Sequence, residues 1–158
     1  MNNSANYVSN GEDRLDSPLS ILGKLPIDRK VTTKDSKGGM FVFEHKNMGK
    51  GGPPRHIHHK QDEWLYVLKG EFVVEIGDER LTLKEGDSVL APRKVPHAWA
   101  HLTDEPGSLL IVAQPAGTIE DFFSKISGHD VTQKEFAKIS AEHDVELVGD
   151  PIISSEEQ

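Results

Sequence analysis

An antiparallel all-β sandwich or barrel with a short helical appendage at its C-terminal end is the fold class this sequence predicts. Three observations point to it. From Glu63 to Gln114, short apolar runs recur between turn signals spaced about every eight to twelve residues, as in antiparallel β proteins. Within those runs, side chains alternate with the period of two that turns one strand face toward a core. After Pro115 the alternation gives way to helix-capping signals.

Composition narrows the classes. A chain of 158 residues suits one core of ordinary size. With no cysteine there are no disulfides, thiolate ligands or thiol nucleophiles, so any metal must accept nitrogen and oxygen donors. The formal net charge of -8, with no segregated basic patch, argues against nucleic acid as a partner. No run of eighteen apolar residues is present, and Met1 to Asn6 lacks the features of a secretory signal. A cytoplasmic protein with no membrane partner is expected.

The elements follow in order. A polar arm is expected over residues 1–26, a barrel over 27–116, helices over 117–146 and a tail over 147–158, with Ser154 to Gln158 a solvated end. Ile27 to Thr33 reads as a weak strand, Lys34 to Gly39 as a turn, and Met40 to His45 as an aromatic and β-branched strand. Gly49 to Pro54 forces a break. Strands are then predicted over 63–68, 72–76, 80–83, 88–91, 97–102 and 108–114. Helices are predicted near 118–127 and 132–143. The first would be capped by the Thr118 hydroxyl and ended by Gly128, and the second by a Thr132–Glu135 capping box with Val131 against Phe136.

The chemistry concentrates at His56-Ile57-His58-His59-Lys60-Gln61-Asp62-Glu63. Imidazoles at i and i+2 of a strand share a face, so His56 and His58 can share one metal ion. Glu63 follows a four-residue spacer and adds an anionic oxygen. His97 lies at the mouth of a later apolar strand.

The pattern His56-x-His58-x4-Glu63-x6-Gly70 resembles the first motif of the cupin superfamily, and Gly86-x5-Pro92-x4-His97 resembles its second. Gly52 to His59, with Gln114-Pro115-Ala116-Gly117 leading into Glu120 to Phe123, is similar to single-domain quercetinase-like cupins. Three positions depart from the pattern. Lys94 stands where Gly is usual, His101 stands where Asn is common, and Lys50 occupies the place of the leading Gly.

The resemblance implies a single small jelly-roll barrel in which His56, His58, Glu63 and His97 hold one divalent transition metal. Fe, Mn, Ni or Co would suit an open five- or six-coordinate site; Zn is possible but would close tetrahedrally on four ligands. It also implies a dioxygenase acting with dioxygen on a flavonol-like or other enolisable small molecule, with Glu63 as the catalytic base. The alternatives are a non-redox metal-dependent isomerase or decarboxylase, or a small-molecule binding module without turnover. A homodimer through strand edges or an outer face bearing Trp64, Tyr66 and Leu68 is expected.

Phe43, Trp99 and His101 are the candidate pocket residues, with core packing the alternative for Trp99 and His101. His45 has the parity of Phe41 and Phe43, which leaves the pocket open to it, but a strand-end position is the expectation. His59 is expected to point away from the site, and His129 and His143 to lie at the surface.

Overall fold

The computed structural model describes residues 4–154, so the expectations for residues 1–3 and 155–158 lie outside the described residues. The strands run in chain order as β1 (Leu19–Ile21), β2 (Leu25–Val31), β3 (Phe41–Met48), β4 (Pro54–His58), β5 (Asp62–Lys69), β6 (Glu71–Ile76), β7 (Glu79–Lys84), β8 (Ser88–Ala91), β9 (His97–His101) and β10 (Gly107–Gln114). Helices α1 (Ile119–Lys125) and α2 (Gln133–Glu142) and strand β11 (Val145–Pro151) complete the chain. Two antiparallel sheets face each other, one of six strands ordered β1-β2-β3-β10-β5-β8 and one of five ordered β11-β4-β9-β6-β7. This is the antiparallel sandwich that the strand spacing predicts and the jelly roll that the cupin resemblance implies.

Alternation decides which residues enter the core. On β5, Glu63, Leu65 and Val67 are buried, while Trp64 and Leu68 on the opposite face are exposed. Phe41 and Phe43 from β3, Phe72 and Val74 from β6, Trp99 from β9 and Ile111 from β10 fill the space between the sheets. Apolar area removed from water there is the main stabilising term, at about 25 cal/mol per Å². Every residue of β9 is buried, because Ala98 and Ala100 on its outer side are covered by Ile152.

Besides β4, expected only as the extended His56–His58 segment, two strands fall outside the predicted set. β1 is only three residues long, too short to show a period, and it forms by pairing with β2. β11 forms because Val145, Glu146 and Leu147 pair with His58, Ile57 and His56 along β4. That neighbour is more than eighty residues earlier in the chain, so local pattern carries no sign of it.

The helices also correct two expectations. α2 has its capping box, with Thr132 Oγ1 accepting from Glu135 N at 3.2 Å and a Glu135 carboxylate oxygen accepting from Thr132 N at 2.9 Å. Thr118 makes no such cap on α1. Its hydroxyl is taken by His143 Nδ1 at 2.8 Å, while Lys125 Nζ donates to His143 Nε2 at 2.9 Å. His143 is therefore a buried tie between the helices rather than a surface residue. Among the described residues no helix is long and apolar enough to cross a membrane.

Candidate metal centre and cavity

The two sheets contribute different donors to one point. β4 and β9 pair with His56 opposite His97, and His58 lies two residues along β4 on the same face. Glu63 enters from β5 in the other sheet. The turn of the second motif, between β8 and β9, is tied to β5 and β4. Asp62 accepts from Arg93 N at 2.9 Å and Nε at 3.1 Å, and Lys94 N donates to His58 O at 2.8 Å. Lys94 adopts φ 67, the left-handed conformation that glycine takes without strain. The turn that lacks a glycine is thus made with the same backbone shape by a lysine.

His56, His58, Glu63 and His97 each offer one ligand atom, and these atoms lie within 4.8 Å of one another. All four side chains are buried. His56 Nδ1 lies 2.6 Å from Pro54 O and His97 Nδ1 lies 3.2 Å from Val95 O. Carbonyls only accept, so in both rings the proton sits on Nδ1 and the Nε2 lone pair is left free. His58 Nε2 is 2.8 Å and His97 Nε2 is 3.4 Å from the Glu63 carboxylate oxygens.

The donor set fits a divalent metal. Buried polar atoms normally find partners, yet His97 Nε2, which faces the Glu63 carboxylate, has no hydrogen bond. Metal–ligand bonds of about 2.1 Å put adjacent ligand atoms about 3 Å apart, close to the nitrogen–oxygen separations here. Three imidazoles and one carboxylate form a nitrogen and oxygen set suited to first-row divalent ions.

Electrostatics act differently on the members of the set. Burial, with help from His97 and His58, pushes His56 down to about 3, so the ring is neutral near neutral pH. Burial alone would raise Glu63, but His58 and then His97 outweigh it and hold the carboxyl well below its usual range. For His97, burial is outweighed by the Glu63 carboxylate, and the ring is raised.

A cavity of about 320 Å³ opens beside this group. His56, His58 and Glu63 reach its wall, and Phe43, Trp99, Ile111, Phe122 and Phe123 give it an apolar side. Its outer side is built by Ile21 and Leu22 near the N-terminus and by Ile126, Phe136 and Val145 near the other end. Gly52, in the loop over the cavity, has no room for a side chain: a Cβ there would lie 1.8 Å from Trp99 O.

The candidate pocket residues separate. Phe43 and Trp99 line the cavity and His101 does not. His101 sits two residues beyond Trp99, where Nδ1 meets Glu71 O at 3.0 Å and Nε2 meets Glu105 O at 2.6 Å. The ring is spent on bracing the turn before β10. His45 corrects the strand-end expectation, since it is 2% exposed and lines the cavity. Its parity with Phe41 and Phe43 was the available signal. His59 points outward to Glu146, at 2.7 Å.

Known proteins agree with this architecture. The chain is 33% identical over 108 residues to a 3-hydroxyanthranilate 3,4-dioxygenase of Bacillus thuringiensis (strain Al Hakam), in an alignment spanning 63% of this chain but only 56% of that enzyme. It is 38% identical over 96 residues to the pectin degradation protein KdgF of Dickeya dadantii (strain 3937), covering 61% of this chain and 83% of that protein. Among solved structures, KdgF from Halomonas sp. superposes with a TM-score of 0.57 at 21% identity, over 71% of this chain and 94% of that one. Residues 43–113 match the family model described as a cupin domain. With both motifs, the two-sheet sandwich and the KdgF relative in agreement, the chain belongs to the cupin superfamily.

Proposed function

We propose that this chain is a metal-dependent dioxygenase acting on a compact, hydroxylated and enolisable molecule, with flavonol-like compounds as one such class. The observation that carries the reading is a buried three-histidine, one-carboxylate group beside a mainly apolar cavity of about 320 Å³. That volume is at the low end for small-molecule sites, which within the enolisable class favours a substrate smaller than a three-ring flavonol. The similarity to 3-hydroxyanthranilate 3,4-dioxygenase supports the class of reaction.

His56, His58, Glu63 and His97 would hold the ion. A bound Fe, Mn, Ni or Co would supply Lewis acidity and open positions for a substrate oxygen and dioxygen. The chain's own groups do the remaining work. The aromatic wall excludes water and orients a flat ring, and Glu63, ionised at neutral pH, is the base placed to take the substrate's hydroxyl proton.

The test is substrate-dependent oxygen uptake by protein loaded with each of these metals. Uptake is expected to fall at least about 100-fold in Glu63→Ala and in His97→Ala. Undiminished uptake in both variants would overturn the reading. A non-redox isomerase or decarboxylase is the second reading, kept because the chain covers 83% of a relative described as a pectin degradation protein rather than as a dioxygenase. Turnover under strict anaerobiosis selects it over the first.

A further inference from the structure

His45 is a polar group in the apolar wall that the His/Glu cluster does not use. It lies on β3, facing the interior, with the Trp99 ring at 5.0 Å and the Phe43 ring at 5.4 Å. Its Nδ1 is 3.0 Å from Pro26 O on β2. Because a carbonyl can only accept, Nδ1 carries the proton and donates, and Nε2 at the far edge of the ring is left as an acceptor.

That nitrogen has no hydrogen-bond partner among the described residues. Nor is it among the polar atoms sealed away from any accessible space. His45 lines the cavity, so that is where Nε2 opens. Burial holds the ring down to about 4, keeping it neutral and its lone pair available near neutral pH.

We propose that His45 is the positioning residue that receives a substrate hydroxyl, accepting its hydrogen bond at Nε2 from within the aromatic wall. A lone acceptor among aromatic rings discriminates strongly. A ligand bringing an O–H satisfies it, whereas one without a donor leaves it unpaired and pays for removing it from water. The chemical class is therefore a phenol or enol whose hydroxyl points away from the carboxylate wall. A carboxylate group is excluded from this position, because it presents only acceptors to an acceptor. The inference rests on reading this cavity as the substrate site, but it needs neither metal nor oxygen.

The test uses phenol and anisole, which share a ring, although only phenol can donate. The full chain, labelled with ¹⁵N at histidine, is titrated with each, and the His45 Nε2 signal is identified by its absence in His45→Phe. Phenol is expected to shift that signal saturably, anisole to leave it in place, and phenol to bind at least tenfold more tightly. The preference is expected to disappear in His45→Phe and to return in part in His45→Gln, whose carboxamide oxygen can accept. Should the variants not fold, the signal is assigned by its contacts to Trp99 and the wild-type titration decides. Equal affinities, an unmoved Nε2 signal at saturation, or no saturable phenol binding would overturn the proposal. Failure of oxygen uptake with an intact phenol preference would instead remove the dioxygenase reading and leave His45 in its role.

Discussion

The polar and apolar walls of the cavity are specified in different ways. The polar wall comes from a strand, a short turn and a strand between His56 and Glu63, completed by the pairing that sets His97 opposite His56. The apolar outer wall joins the two ends of the chain. Leu22 N donates to Ile126 O at 2.9 Å, and Ser20 N donates to Ser127 Oγ at 2.9 Å across a separation of 107 positions. Those contributors lie outside the 43–113 segment shared with other cupin domains. The shared segment provides the donor atoms, and the added ends shape what can approach them.

Substitutions should separate the two walls. Glu63→Ala and His97→Ala set the top of the scale, because each removes a donor from the polar wall. Phe123 tests the other wall, since it packs against Phe43 with ring centroids 5.0 Å apart and is nearly buried. Phe123→Ala is expected to cost about 3 to 4 kcal/mol in chemical denaturation, the range for truncating a buried phenylalanine. Metal content by elemental analysis should stay at the wild-type level. Loss of metal in this variant would show the walls to be one unit.

A smaller effect is expected where the N-terminal segment is strapped to β2, which carries the hairpin of the apolar wall. Asp13 accepts from Arg29 N, Nε and Nη2 at 2.7, 3.0 and 2.9 Å. Burial would raise the Asp13 carboxyl, but the Arg29 contacts outweigh it and bring it from 3.8 down to about 2. A lowered carboxyl stabilises the fold above its unfolded value and ceases to do so as pH falls through the folded one. The contribution is about 2 kcal/mol, fully present above about pH 5 and lost between about pH 4 and 2. Urea melts of wild type and Asp13→Asn should differ by that amount at pH 7 and converge at pH 2. A constant difference across that range would place the stabilisation elsewhere.

The same contrast explains what the sequence made legible. The two-residue spacing of His56 and His58, the alternation on β5 and the capping box at Thr132 are local signals, and each appears in the structure where the pattern puts it. The strand β11 and the burial of His143 depend on partners distant in the chain, and the bracing role of His101 depends on Glu71, thirty positions earlier, as well as on nearby Glu105. No spacing rule reaches them. His45 is intermediate: its parity was visible, but its meaning depends on Pro26 and Trp99 arriving from other strands.

The smallest expected effect sharpens the comparison on the polar side, where Lys94 holds φ 67 beside the donors. A left-handed residue with a Cβ costs about 1 to 2 kcal/mol, and glycine removes that strain while adding about 0.5 to 1 kcal/mol of unfolded-chain entropy. Lys94→Gly should therefore stabilise the protein by about 0.5 kcal/mol in urea melts. The Lys94 N to His58 O bond needs no side chain, so metal content should not change. Destabilisation would mean that the lysine side chain itself contributes to the loop. Stabilisation with unchanged metal would mean that the turn serves only to aim His58 and His97, and that its departure from glycine is a tolerated strain in the wall that presents the donor atoms.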